Sequence, residues 1–118
     1  MRAVLRNVGH VTICQVVGNL EFLTVDELRA VLDDLVAVPR LVLDLSGVAF
    51  VDSSGIGALI GALRRSRETG SAVAVCSPRP SVNRVLDLVG LDRLVPVVAN
   101  VEQALAALAA PTGLRAAS

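Results

Sequence analysis

The chain has 118 residues, of which 53% are hydrophobic and 19% are charged, so it suits one domain and is too apolar for an intrinsically disordered protein. Eleven acidic residues balance eleven basic ones, and only two residues, both phenylalanine, are aromatic. The neutral net charge and the scarcity of stacking side chains argue against binding to nucleic acid or to an anionic membrane.

Two short apolar stretches, Val4–Val8 and Val11–Val17, flank Gly9-His10 and predict a β-hairpin at the start of the fold. The segment Thr24–Glu27 has the pattern of a capping box, in which the threonine and glutamate side chains bond each other's free backbone amides. A helix is therefore expected to begin there and to end before Pro39. Its apolar residues recur with helical spacing, which predicts one buried stripe.

The middle of the chain contains a second strand-to-helix transition. Arg40–Leu45 is a short, mostly apolar run and predicts a central strand that is covered on both faces. From Ile56 the apolar spacing becomes helical, and Gly70 marks the end of this helix after three arginines that suit its dipole. The residues Asp52-Ser53-Ser54 precede the helix and are types that favour an N-cap.

The last third of the chain continues the alternation of strands and helices. Ser71–Cys76 predicts a fourth strand and Val82–Val89 a third helix. Leu94–Val98 predicts a fifth strand, which Pro96 places at the sheet edge because proline cannot donate to a ladder. The polar pair Asn100 and Gln103 predicts the cap of a final helix.

The element order β-β-α-β-α-β-α-β-α predicts the α/β class, with a mixed, mostly parallel sheet of about five strands and about four helices packed on it. We expect a single domain over residues 1–110 and a flexible tail over residues 111–118.

The residue types that bind metals or carry lysine chemistry are scarce. All eleven basic residues are arginine, which excludes a Walker-type phosphate loop and a Schiff-base lysine. Cys14, Cys76 and the single histidine, His10, lack the spacing of a zinc site, so no metal is expected. Each cysteine lies in a valine-rich run that favours a buried apolar role, with a regulatory disulfide left open.

The sequence also lacks the patterns of a signal peptide and of a membrane span. Arg2 and Arg6 interrupt the first apolar residues, so no signal peptide is predicted, and no apolar run approaches the roughly 18 residues of a membrane span. We therefore expect a cytoplasmic protein with no membrane partner.

The segment Asp44–Leu59 contains residues suited to four kinds of site. A dinucleotide fingerprint is excluded because Gly61 lies one position too late to be its third glycine. A hydrolase serine needs a glycine two positions before it and a histidine partner, yet His10 lies in the predicted hairpin. Asp44 and Asp52 without a third ligand make a poor metal site. An enzyme is therefore not expected.

The fourth kind of site is a serine that is itself modified. Ser53 and Ser54 precede the helix predicted from Ile56, where free backbone amides and the helix dipole accommodate a phosphate. A phosphate adds about −1.5 to −2 charges and would repel a partner that buries the bare hydroxyl. Capping of the helix by Ser54 or Asp52 is the alternative role. The two roles are compatible, and the spacing alone leaves both open.

Asp44–Val48 and Phe50–Gly57 closely resemble the core motif of the STAS-domain anti-sigma-factor antagonists. The likeness extends through Gly18–Glu21 and Leu86–Leu91, and it covers nearly everything from Val4 to Leu108. The family fold is a mixed sheet with helices, so the resemblance implies one STAS-like domain.

The resemblance implies a partner-switching protein with no catalytic activity of its own and no cofactor. In that family the unphosphorylated antagonist binds an anti-sigma factor that is also a serine kinase, which frees a sigma factor for transcription, as in sporulation or the stress response. The kinase uses ATP to phosphorylate the serine after the motif's aspartate, which corresponds to Ser53, and the partner is then released. A metal-dependent serine phosphatase restores the binding form.

The resemblance also implies a docking surface at the start of the second helix and on the loop after the second strand. The corresponding residues are Glu21, Asp52, Ser54, Gly55, Ile56 and Gly57. Glu21 stands where the family commonly has aspartate. The alternative is a scaffold or sensor module, in a stress-sensing complex or with Cys14 or Cys76 reporting redox state, that uses the same surface without being a kinase substrate.

Overall fold

A computed structural model describes the backbone of residues 1–117 and the side chains of residues 1–109. Five strands and five helices follow one another as β1 Arg2–Val8, β2 Val11–Val17, α1 Val25–Leu35, β3 Arg40–Gly47, α2 Ser53–Glu68, β4 Ala72–Cys76, α3 Pro80–Leu88, α4 Leu91–Leu94, β5 Val97–Val98 and α5 Val101–Ala117. The sheet order is β1-β2-β3-β4-β5. The first pair is antiparallel and the other three are parallel, which confirms the α/β class and the mixed sheet.

The two faces of the sheet are covered by different helices. Leu41 and Leu43 of β3 belong to the large core that contains the buried hydrophobic residues of α1, α2 and α3. Val42 points the other way and packs with Ala104 and Leu108 of α5. The central strand is thus buried on both faces, as its unbroken apolar run predicts.

The predicted capping box at the start of α1 is wrong. The Thr24 hydroxyl donates to the Asn19 carbonyl at 2.7 Å and accepts from the Glu21 amide at 3.1 Å, and it makes no cap bond to the helix. The Glu27 carboxylate instead faces the N-terminal ammonium of Met1 at 3.6 Å. Thr24 therefore stabilises the loop before α1 rather than the helix itself.

The helix α2 begins at Ser53, three residues before the expected start at Ile56. Its N-cap is Asp52, whose Oδ1 accepts from the backbone amide of Gly55 at 3.0 Å. Apolar spacing misses this first turn because its side chains are polar or absent. At the other end Gly70 has a positive φ of 83°, the left-handed conformation expected of the residue that follows a helix.

The predicted fifth strand, Leu94–Val98, is largely wrong. Residues Leu91–Leu94 form the short helix α4, which begins after Gly90, and β5 keeps only Val97 and Val98. The edge position is correct. Pro96 lies just before the strand, where its carbonyl accepts from the amide of Val75 at 2.8 Å. Pro96 thus accepts a hydrogen bond through its carbonyl at a position where no backbone N–H is needed, which suits proline because it has none.

The predicted cap of the final helix is present. The Asn100 Oδ1 accepts from the Gln103 amide at 2.8 Å, and the Gln103 Oε1 accepts from the Ala99 amide at 3.0 Å. The tail predicted over residues 111–118 lies outside the described side chains and stays a prediction.

The cysteines occupy opposite faces of the sheet. Cys14 aligns with Leu43 and Cys76 with Asp44, which are successive residues of β3 and so point to opposite sides. Both thiols are free and buried. Burial raises the pKa of the Cys14 thiol to about 11 and, as the main influence, also raises the pKa of Cys76.

Candidate functional site

The site lies beyond the carboxyl ends of the parallel strands, where the loop after β2 meets the segment between β3 and α2. Leu20 and Val51 form an isolated parallel bridge there. The Leu20 amide donates to the Phe50 carbonyl at 2.9 Å, and the Leu20 carbonyl accepts from the Asp52 amide at 3.0 Å. These backbone bonds fix the position of the loop against the start of α2.

The Asp52 carboxylate joins the same two segments through its side chain. Its Oδ1 accepts from Gly55, and its Oδ2 accepts from the backbone amide of Phe22 at 3.0 Å. The bond from Gly55, with those from Phe22 and Ser54, lowers the pKa of Asp52 below its ordinary value against the opposing effect of desolvation. The carboxylate is therefore ionised at neutral pH. Sequence reasoning missed the contact with Phe22 because no local pattern links residues thirty positions apart.

Ser53 is the first residue of α2 and its side chain is exposed. The free amides of a first helical turn and the positive end of the helix dipole meet at this position. Ser54 follows and is half-buried. The structure thus gives the capping role to Asp52 and leaves the Ser53 hydroxyl accessible to another molecule.

Gly55 and Gly57 differ in what surrounds them. A β-carbon at Gly55 would overlap the carbonyl oxygen of Leu20, and the carbonyl carbon would lie only 2.8 Å away. A β-carbon at Gly57 would meet nothing within 4 Å, and this residue is exposed. Gly55 therefore allows the helix to approach the loop, whereas Gly57 leaves the surface of α2 bare beside Ser53.

Exposed apolar side chains lie on the two segments that meet at the site. Phe22 and Leu23 are 74% and 83% exposed, and Phe50 is 50% exposed. A cavity of about 250 Å³ lies beside Phe50. Its lining consists of Ala49, Phe50, Val51, Ser81, Val82 and Val85. This lining is mostly apolar.

The single histidine lies far from this surface. His10 is in the turn of the β1-β2 hairpin, at the amino end of β2, whereas Ser53 lies beyond the carboxyl end of β3, which runs parallel to β2. Within residues 1–109, no three His, Cys, Asp or Glu side chains are grouped to hold a metal ion. The Ser53 hydroxyl is thus accessible at the N-terminus of α2.

Residues 2–104 match the model of the STAS domain family. The chain belongs to the STAS domain family. It is 34% identical over 101 residues to the anti-sigma F factor antagonist of Paenibacillus polymyxa, a match that covers 83% of this chain and 86% of the relative. The relatedness extends over nearly the whole domain, including the loop and helix that build the site.

Two solved structures share the fold of this chain. The anti-sigma factor antagonist of Mycobacterium paratuberculosis has a TM-score of 0.78 and 28% identity, and the match covers 91% of this chain and 92% of that one. Bacillus SpoIIAA in its phosphorylated form has a TM-score of 0.67 and 23% identity, over 88% of this chain and 96% of that one. At the latter identity the likeness shows the fold.

In this STAS domain the predicted site residues come together at one end of the sheet but differ in exposure. Ser53 and Gly57 lie on the surface, and Glu21, Asp52 and Ser54 are half-buried. Gly55 and Ile56 are buried, where they position α2. Among the described residues, no helix has both the length and the apolar character needed to cross a membrane.

Proposed function

We propose that the chain is an anti-sigma factor antagonist that binds an anti-sigma factor while Ser53 carries a free hydroxyl and releases it once Ser53 is phosphorylated. The observation that carries the proposal is the exposed Ser53 side chain at the first position of α2, next to segments with the exposed apolar side chains Phe22, Leu23 and Phe50. The name of the Paenibacillus polymyxa relative supports an anti-sigma factor as the partner.

The switch depends on a phosphate that the helix accommodates and the partner does not. A dianion at the first turn of α2 is stabilised by free amides and the helix dipole, so the domain stays folded. The partner would have to bury that charge beside the ionised Asp52. At close range a unit-charge contact is worth on the order of 4 kcal/mol at an effective dielectric of 20, which amounts to a loss of about three decades in affinity.

The phosphate comes from ATP bound to the partner, which is an anti-sigma factor with serine kinase activity. The Ser53 Oγ forms the new bond to the γ-phosphorus while the bond to the β-phosphate oxygen breaks. ADP leaves, and the hydroxyl proton passes to a base of the kinase. A serine phosphatase hydrolyses the ester and restores the binding form. These steps take place in the cytoplasm, and this chain contributes the hydroxyl and the docking surface.

The test uses the anti-sigma factors encoded in the genome of the source organism, each purified and incubated with the chain and ATP. Intact-mass analysis is expected to find one added phosphate on the wild type and on Ser54→Ala, and none on Ser53→Ala. Ser54→Ala is the matched control because it removes the adjacent serine and keeps the Ser53 hydroxyl. Phosphate on Ser53→Ala, or no phosphate with any of these proteins, would contradict the proposal and would favour a scaffold or sensor role.

A further inference from the structure

The only two aromatic residues of the chain are both exposed at the site. Phe22 lies in the loop after β2 and Phe50 in the segment before α2. The Leu20–Val51 bridge places these segments side by side. Large apolar side chains are normally buried, and a group of exposed ones marks an interaction surface. Phe22 and Leu23 are more exposed than Phe50, at 74% and 83%.

The loop that carries Phe22 and Leu23 is held in one conformation. The Asp52 carboxylate binds the Phe22 amide, and Thr24 bonds through its hydroxyl to Asn19 and Glu21. The Thr24 amide also donates to the Glu21 carbonyl at 2.9 Å. A loop that is ordered before binding loses little conformational entropy when it docks, so its apolar side chains can contribute most of their burial energy to affinity.

We infer that Phe22 and Leu23 form an apolar anchor that inserts into a pocket of the anti-sigma factor and determines which anti-sigma factor this chain binds. The inference rests on the proposed function and deepens it. Continuity supports this occupant, because Asp52, which binds the anchor loop, directly precedes Ser53. The partner pocket is thus apolar.

The anchor also explains how one phosphate is effective. Burial of Phe22 and Leu23 excludes water from the adjoining surface, and a charge placed next to a water-free contact is much more costly than one in solvent. The phosphate on Ser53 is therefore expected to weaken the complex by preventing the apolar contact beside it from closing.

The first experiment measures the affinity of each variant for the anti-sigma factor that binds the wild type. Phe22→Ala and Leu23→Ala are each expected to weaken binding about 30-fold or more, the typical loss at an interface hot spot. The matched control is Leu88→Ala, because Leu88 is 81% exposed but lies at the end of α3. It is expected to bind like the wild type. All three side chains are exposed, so the thermal melting of each variant is expected to match that of the wild type.

The second experiment exploits the absence of tryptophan from the chain. Phe22→Trp keeps an aromatic anchor and adds a fluorophore at the contact. Its emission is expected to resemble that of tryptophan in water and to shift to shorter wavelength when the anti-sigma factor is added. Leu88→Trp is the control, since it reports any change in the partner's own emission and is expected to show no further shift.

The outcomes separate the inference from the proposed function. One outcome is that Phe22→Ala and Leu23→Ala bind with wild-type affinity while Ser53→Asp loses binding. This result overturns the anchor but agrees with the proposed phosphorylation switch. If the emission of Phe22→Trp shifts as the concentration of this variant is raised in the absence of the anti-sigma factor, the surface binds a second copy of the chain. That outcome overturns the anchor as well. Failure of every anti-sigma factor to bind the wild type overturns both.

Discussion

Gly55 and Gly57 are two positions apart in α2, yet their substitution by alanine has opposite expected effects. Gly55→Ala places a methyl group against the Leu20 carbonyl, and a backbone atom cannot give way as a side chain can. We expect it to destabilise the fold by at least about 1–3 kcal/mol, as overpacking does. Gly57→Ala faces open space and is expected to stabilise the helix by about 0.5–1 kcal/mol. Urea unfolding of both variants checks this, and the reverse order would contradict it.

Asp52 predicts a pH dependence of stability. Its pKa is lower in the folded state than in the unfolded chain, so its contribution is complete above the unfolded pKa and is lost as pH falls through the folded value. The difference in melting temperature between wild type and Asp52→Asn is therefore expected to be constant near neutrality and to shrink below about pH 4. Asp34→Asn, on the exposed side of α1, is the control. A difference that grows on acidification would contradict the assignment.

At the scale of elements, sequence patterns succeed where one local rule decides the structure and fail where a side chain has two possible partners. Asn100 caps α5 as predicted. Thr24 has an equally good capping pattern, but its hydroxyl bonds within the preceding loop. Apolar spacing finds the buried stripe of α2 but not its first turn, because Ser53 is exposed. The tie between Asp52 and Phe22 is tertiary and has no sequence signal.

The pairing of β2, β3 and β4 determines the redox behaviour of the cysteines. Cys14 and Cys76 lie on strands that flank β3, roughly 10 Å apart across two strand spacings, and they point to opposite faces. A disulfide needs Cα atoms within about 7 Å. We expect diamide treatment of the native chain to form no disulfide between Cys14 and Cys76. The intact mass is then expected to remain that of the chain with two free thiols. The control is the same treatment in urea, where a disulfide can form. A native disulfide would refute the strand register and revive the redox-sensor alternative.

At the scale of the whole molecule, the topology accounts for the location of the site. The strands follow one another across the sheet in chain order, so right-handed crossovers place α1, α2 and α3 on the same face and all their preceding loops at the same edge. The loop after β2 and the segment before α2 therefore meet. The sequence predicts this α/β arrangement and the exposed serine, whereas the apolar surface beside the serine emerges only when the two phenylalanines are brought together.

Ser53→Asp tests whether charge alone operates the switch. A carboxylate suits the first turn of α2, so the variant is expected to melt at or above the wild-type temperature. Its single charge is smaller than that of a phosphate, and we expect binding to the anti-sigma factor to weaken on the order of 1,000-fold, the value of one unit-charge contact. Ser53→Asn, which has the same shape without the charge, is the control and is expected to lose much less. Because salt screens a partly exposed charge, the difference in affinity between Ser53→Asp and Ser53→Asn is expected to decrease as ionic strength rises. Equal loss in both variants would mean that side-chain size rather than charge excludes the partner.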